Sequence, residues 1–361
     1  MKHLFPLLLL GLLWVGCDAT ETPVGPGACD SALDQETLLR STAYNVILPA
    51  YAGLTATVTD LRAAKDAFVA RPDAQSLTDL RTAHDVAYEA WQAAAPFQFG
   101  PADEVFLRSS FNNFPLDETA LEQRLSDNSF NFDQPDTYDK GLPAFDFLLY
   151  SQGDLTATLD YLQAKPNAVA FIDAQVEDLY QRTTAVETAW REGYRDQFVA
   201  NTGTAAGTGL STLINRLNAH YEGIKRERLG VPAGVLTIGI ANPTKVEAYH
   251  SGNSLQLATK ALEASRALYT GGEGAGLDDY LDQLNNAAAA ELNKEILDRY
   301  AVALNAVRSL DGELSQLVQE NQADVTEAYA EVTRQLIYTK TDLPALTCVP
   351  ITYIDNPSDS D

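Results

Sequence analysis

One carboxylate sits inside an apolar run: Asp146 in Gly141-Leu142-Pro143-Ala144-Phe145-Asp146-Phe147-Leu148-Leu149-Tyr150. Gly141 and Pro143 mark the start of a short buried helix, because proline's missing N–H has no partner in a first turn anyway. Phe145, Leu148 and Leu149 then share one face. A lone buried carboxylate is costly, so Asp146 must pair, protonate or face a cavity. The plainer alternative is a place on the helix's wet side, or a bond to a neighbouring backbone group.

Two later segments carry groups that could meet it. Lys225-Arg226-Glu227-Arg228-Leu229-Gly230 ends a helix with three bases. They suit the negative end of the helix dipole, which alone would explain them. Asn242-Pro243-Thr244-Lys245-Val246-Glu247-Ala248-Tyr249-His250-Ser251 follows. A buried Asp146 needs a partner, and these segments hold the expected candidates, Lys225, Arg226 or Arg228, or Glu247, Tyr249 or Ser251, across a cleft shared by two halves. Trp91, just before the break at Ala95-Pro96-Phe97-Gln98-Phe99-Gly100-Pro101, is a further candidate. There the plainer alternative is a rigid turn capped by aromatics.

Several chemistries are missing. There is no G-x-S-x-G elbow, no P-loop and no H-E-x-x-H. His84, His220 and His250 are scattered, and no pair has the i, i+4 spacing of a zinc site. His84 lies on an apolar stripe and is expected to be a hydrogen-bonded core residue. Acids outnumber bases 50 to 25, a net charge of −25, so no nucleic acid is expected as a partner. The acids are spread along the chain, which favours a solubility adaptation, for example to high salt, over a dedicated cation trap.

The N-terminus has the layout of a secretory signal: Lys2 and His3, an apolar run from Leu4 to Val15, then Gly16-Cys17. Residues 1–16 are read as a lipoprotein signal peptide and Cys17 as the lipidated residue. Trp14 stands where such sites usually carry Leu. Cys29 and Cys348 remain, and in an exported protein they suggest one disulfide. Residues 17–34, rich in Thr, Pro, Gly and Asp, read as a tether.

The rest of the pattern is helical. Helices are predicted over 37–68 with a kink at Pro49, 77–91, 169–198, 210–224, 255–269, 292–310 and 314–338, with a short one at 277–284. Ser254 is expected to cap the 255–269 helix. Residues 126–140 read as a loop, and 351–353 as extended. The division expected is an N-terminal helical bundle over 35–163, a C-terminal helical bundle over 164–345 and an acidic tail over 346–361. The fold class is all-α: two packed helical-bundle halves, sharing a rhythm but no identity that would establish a repeat.

Taken in order, these segments resemble the imelysin family. Its signature is G-x-H-x-x-E in a run close to G-x-H-A-x-E-x-L-L-F. Gly141, Ala144, Leu148 and Leu149 match, Pro143 replaces the His and Asp146 the Glu. Trp91 with Phe97-Gln98-Phe99-Gly100-Pro101 is similar to another family segment. Phe111-Asn112-Asn113-Phe114-Pro115 resembles its N-x-W-P, with Phe114 for Trp. Lys225 to Gly234 resembles K-x-x-x-G-x-P-x-G, and Pro243, Val246, Glu247 and Ser251 match P-x-x-V-E-x-x-x-S. The resemblance implies a binding protein near iron or haem acquisition. Its ligand would be a small polar molecule, haem, or a cation such as iron or another divalent ion. Its site would be drawn from Gly141, Pro143, Asp146, Trp91, Lys225, Arg226, Arg228, Glu247, Tyr249 and Ser251. Partners would be the membrane, through Cys17, and envelope uptake proteins. The location would be the bacterial cell envelope, at the outer membrane or in the periplasm. Two other readings stand beside it: a metallopeptidase, against which the loss of the His counts, and a structural surface lipoprotein with no small ligand.

Overall fold

A computed structural model describes residues 29–135 and 137–353. The expected signal peptide, Cys17, most of the tether and the end of the acidic tail lie outside the described residues.

The fold is all-helical. The helices that carry the architecture are α1 (Leu48–Ala70), α2 (Ala74–Ala94), α3 (Leu142–Tyr150), α4 (Pro166–Ala189), α5 (Gly209–Gly223), α6 (Ser254–Thr270), α7 (Ala289–Arg308) and α8 (Gln322–Leu336). Among the described residues the only β pairing is an isolated bridge between Ser31 and Leu284. No described helix is long and apolar enough to cross a membrane.

Local chemistry explains where the helices start. Asp73 opens α2 by accepting from the Ser76 N–H at 2.9 Å, while Ser76 Oγ accepts from the Asp73 N–H at 3.1 Å. α2 then buries Leu77, Leu80, His84, Ala87, Tyr88 and Trp91 at three- and four-residue steps. α1 packs along α2 and along α4, which follows the expected division at 163/164. α2 also touches α6, which leads through α7 to α8. The buried apolar residues form one contiguous core that runs through both halves.

Pro49 lies inside a helical run that begins at Gln35, and the irregularity falls just before it. A π-helical turn, Ala43–Ile47, joins the helix Gln35–Thr42 to α1, and such a bulge is where a helix accommodates a proline that has no N–H to give. A second π-helical turn, Trp190–Tyr194, ends α4 before Arg195–Ala200. The expected 314–338 helix is two helices, Leu314–Glu320 and α8, parted at Asn321. Ser254 does not cap α6; its hydroxyl donates back to the Glu247 carbonyl. Residues 351–353 form no strand. Asn215 holds them instead, accepting from the Thr352 N–H at 2.7 Å and donating to the Pro350 carbonyl at 3.0 Å.

Cys29 and Cys348 form a disulfide, with Cα atoms 5.8 Å apart. It joins the start of the described chain to the end of its last helix, Leu343–Thr347.

Candidate functional site

α3 begins at a crowded point. Gly141 has φ +76°, and a Cβ there would lie 2.4 Å from the Phe111 carbonyl oxygen and 2.7 Å from that of Ser110. Only glycine fits both demands. The Gly141 N–H donates to Gln175 Oε1 at 3.1 Å. His84 is fully buried, with Nε2 3.2 Å from the Leu142 carbonyl and Nδ1 3.0 Å from Asp85 Oδ1. It is a core residue, and it supports the first turn of α3. Pro143 and Trp91 are buried as well.

Asp146 is 2% exposed. Its carboxylate accepts the His250 N–H at 2.8 Å and the Ser251 N–H at 3.0 Å. Of the partners expected from the sequence, Ser251 is the one that reaches Asp146, through its backbone N–H. Ala248, at φ +52°, turns the intervening chain through the left-handed region. Among the described residues no base pairs with Asp146, because the candidates are engaged elsewhere. Lys225 Nζ is 2.5 Å from Glu222 Oε2, Arg226 is exposed, and Arg228 belongs to Glu247.

That last pair is the buried centre of the site. Arg228 Nε lies 2.7 Å from Glu247 Oε2, with the two side chains 7% and 1% exposed. The contact is ionic, since its angle falls short of a hydrogen bond. Arg228 Nη2 donates to Glu247 Oε1 at 3.3 Å and to Gln92 Oε1 at 2.9 Å. Glu247 Oε1 also accepts from Gln92 Nε2 at 3.0 Å and Asn112 Nδ2 at 2.6 Å. Tyr88 donates to Asn112 Oδ1 at 2.8 Å. Burial, then the charges of Glu247 and Asp146, push the Tyr88 hydroxyl well above its usual pKa, so it stays a donor. The Arg228 guanidinium also lies 5.5 Å from the centroid of the Phe114 ring. Desolvating two charges is costly, and this set of bonds offsets it.

A cavity of about 60 Å³ adjoins Arg228, bounded by Trp91, Gln98, Asn112, Phe114, His220 and Glu227 among others. Trp91 is held in place by stacking on Phe111, ring centroids 4.9 Å apart. Both ring nitrogens of His220 are buried there without a hydrogen-bond partner. Burial, then Arg228 and Arg108, hold this imidazole well below its usual pKa, so it is neutral. Among the described residues, no group of three or more His, Cys, Asp or Glu is placed to hold a metal ion.

The sequence candidates thus divide. Trp91 and Arg228 line the cavity, Glu247 joins them through Arg228, and Asp146 meets Ser251 through the backbone. Lys225 and Arg226 point elsewhere, and Tyr249 is 37% exposed against the His250 ring. Gln92 and His220 were missed. Each sits on a helix whose pattern reads as packing, and nothing local marks Gln92 as a partner of the ion pair or His220 as cavity lining. Asn112 lies within the Phe111–Pro115 segment, and that resemblance was the available signal.

An all-helical chain with a buried ion pair and a polar cavity, both built from spaced motif residues, is the class that fold and site define. The imelysin family model matches residues 47–339, and the chain belongs to the imelysin family. It is 24% identical over 300 residues to iron-regulated protein A of Synechococcus elongatus, covering 78% of each chain. Its fold is shared with two solved structures. One is a candidate iron-regulated protein A precursor from Parabacteroides distasonis, with TM-score 0.71, 19% identity, and 86% and 95% of the two chains covered. The other is an imelysin-like protein from Psychrobacter arcticus, with TM-score 0.69, 17% identity, and 88% and 97% covered.

Proposed function

We propose that this chain is an exported, lipid-anchored binding protein that serves iron acquisition. The observation that carries the reading is the polar cavity beside the buried Arg228–Glu247 pair, walled by Trp91 and Asn112 from segments that resemble family motifs. A relative called iron-regulated protein A, and a structural neighbour described as an iron-regulated protein A precursor, support the iron connection and export. Cys17 after an apolar run supports the anchor, which more than one acyl chain would make stable. At about 60 Å³ the cavity suits a small polar ligand or ion better than haem. Pro143 offers no ligand atom at the position of the family's His, so imelysin-type proteolysis is not expected.

Three measurements test this. Cys17→Ala should release the protein from the membrane fraction or block its processing, and unchanged partitioning ends the anchor. Removing the protein from its cell should slow growth when iron is limiting, and the intact chain should restore it. Growth indifferent to its loss ends the iron role. Purified chain should leave a peptide panel intact, and chelator-sensitive cleavage overturns the non-catalytic reading.

A further inference from the structure

We propose that the cavity beside Arg228 binds a small oxyanion that still carries a hydroxyl, of the size of hydrogen phosphate or hydrogen carbonate. The idea rests on the binding reading above and names the ligand class of the same site.

Three guanidinium groups from three separate elements border this cavity: Arg108 from the Leu107–Phe111 helix, Arg216 from α5 and Arg228 from the π-helical turn Ile224–Gly230. Such convergence runs against a chain of net charge −25. Each group has donors to spare. Arg108 uses Nη2 on Glu227, at 3.3 and 3.4 Å. Arg216 uses Nη2 on Asp103 at 3.2 Å. Arg228 uses Nε and Nη2. A guanidinium has five N–H donors, and the three Nη1 groups take no part in these bonds. Planar, bidentate donation of this kind is what recognises oxyanions.

His220 is the second, independent observation. Two buried ring nitrogens without partners are costly in a folded protein, and a ligand in the cavity would satisfy at least one. A neutral imidazole gives an N–H to an anion without adding charge. Gln98 Oε1 also lacks a partner, while Gln98 Nε2 is fixed on the Ala94 carbonyl at 3.2 Å. That leaves an unpartnered acceptor on a residue of the cavity wall, which is why the ligand should keep a hydroxyl. Among the described residues Glu227 is the one carboxylate on the lining, and Arg108 faces it. The space admits roughly four waters, which is the bulk of a phosphate or a hydrogen carbonate. Arg108 and Arg216, with side chains 60% and 37% exposed, form the rim through which such an ion would enter.

The test is calorimetric titration of the purified chain, at fixed ionic strength, with inorganic phosphate and with hydrogen carbonate. At least one should bind saturably at a single site. His220→Phe, which removes the ring donors, should weaken it at least about tenfold. Gly223→Leu should do the same by filling the cavity. A Cβ at Gly223 meets only Glu227 Oε2, at 3.7 Å, so this variant should fold, and an unchanged thermal transition checks that. Saturation by neither anion below about 10 mM overturns the proposal. So does binding that both variants retain at full strength. If neither anion binds and the chain still supports growth on limiting iron, only the oxyanion is lost. If an anion binds and growth ignores the chain, the oxyanion stands and the iron role falls.

Discussion

Glu247 is the residue that three neighbours depend on. It accepts from Asn112, Gln92 and Arg228 and balances the charge of the last. Glu247→Ala would strand a buried guanidinium and two amides, and should cost about 3–5 kcal/mol in a urea melt. Glu247→Gln, which keeps an acceptor oxygen, should cost less; equal losses would show that the charge, which both variants remove, carries the whole effect. His220 adds a pH dependence. Its folded pKa lies well below the ordinary 6.5, so below pH 6.5 the unfolded chain takes up a proton that the folded chain refuses. Stability contributed here is full above pH 6.5 and falls as the pH drops from there toward the folded value. His220→Phe should flatten that part of the stability curve, and a curve of unchanged slope would rule His220 out as its source.

Two elements, α3 and the turn around Ala248, are joined by Asp146. Its two charge-assisted bonds to the His250 and Ser251 amides tie the first half of the chain to the second. Asp146→Ala should cost about 3 kcal/mol and speed hydrogen exchange at those two amides above all. Amides that stay protected in the variant would mean that the turn holds itself. Sequence reasoning located α3 and its acid, and it located the turn. It put the bases first among the partners, with Ser251 as an alternative, because charge is what a pattern displays. A backbone N–H aimed by a left-handed Ala248 leaves no trace in residue types. The π-helical turn Ile224–Gly230 was equally hidden. One extra residue per turn changes which of Lys225, Arg226 and Arg228 faces inward, and only Arg228 does so.

For the whole molecule, the Cys29–Cys348 disulfide closes a loop of 319 residues. The entropic estimate for so long a loop is about 5 kcal/mol, with the realised gain usually smaller. Cys348→Ser should therefore lower the melting temperature. Denatured, unreduced wild-type protein should show neither Cys29 nor Cys348 reactive toward a thiol label. Two labelled cysteines, or an unshifted melt, would contradict this.

By itself the sequence determined the all-helical class, the family, the buried signature helix, the core role of His84 and the pairing of the two cysteines. These rest on helical periodicity, ordered motifs and simple counting, all local or global properties of a linear string. Only the tertiary structure decided which polar residues share a site. Gln92, Asn112, Arg228 and Glu247 are up to 155 positions apart, and His220 reaches the cavity from a helix whose spacing signals packing. Which buried groups meet depends on how helices rotate and cross, and on which π-helical turns shift their faces. Those angles are set by the summed packing of one core, and no stretch of the chain contains them.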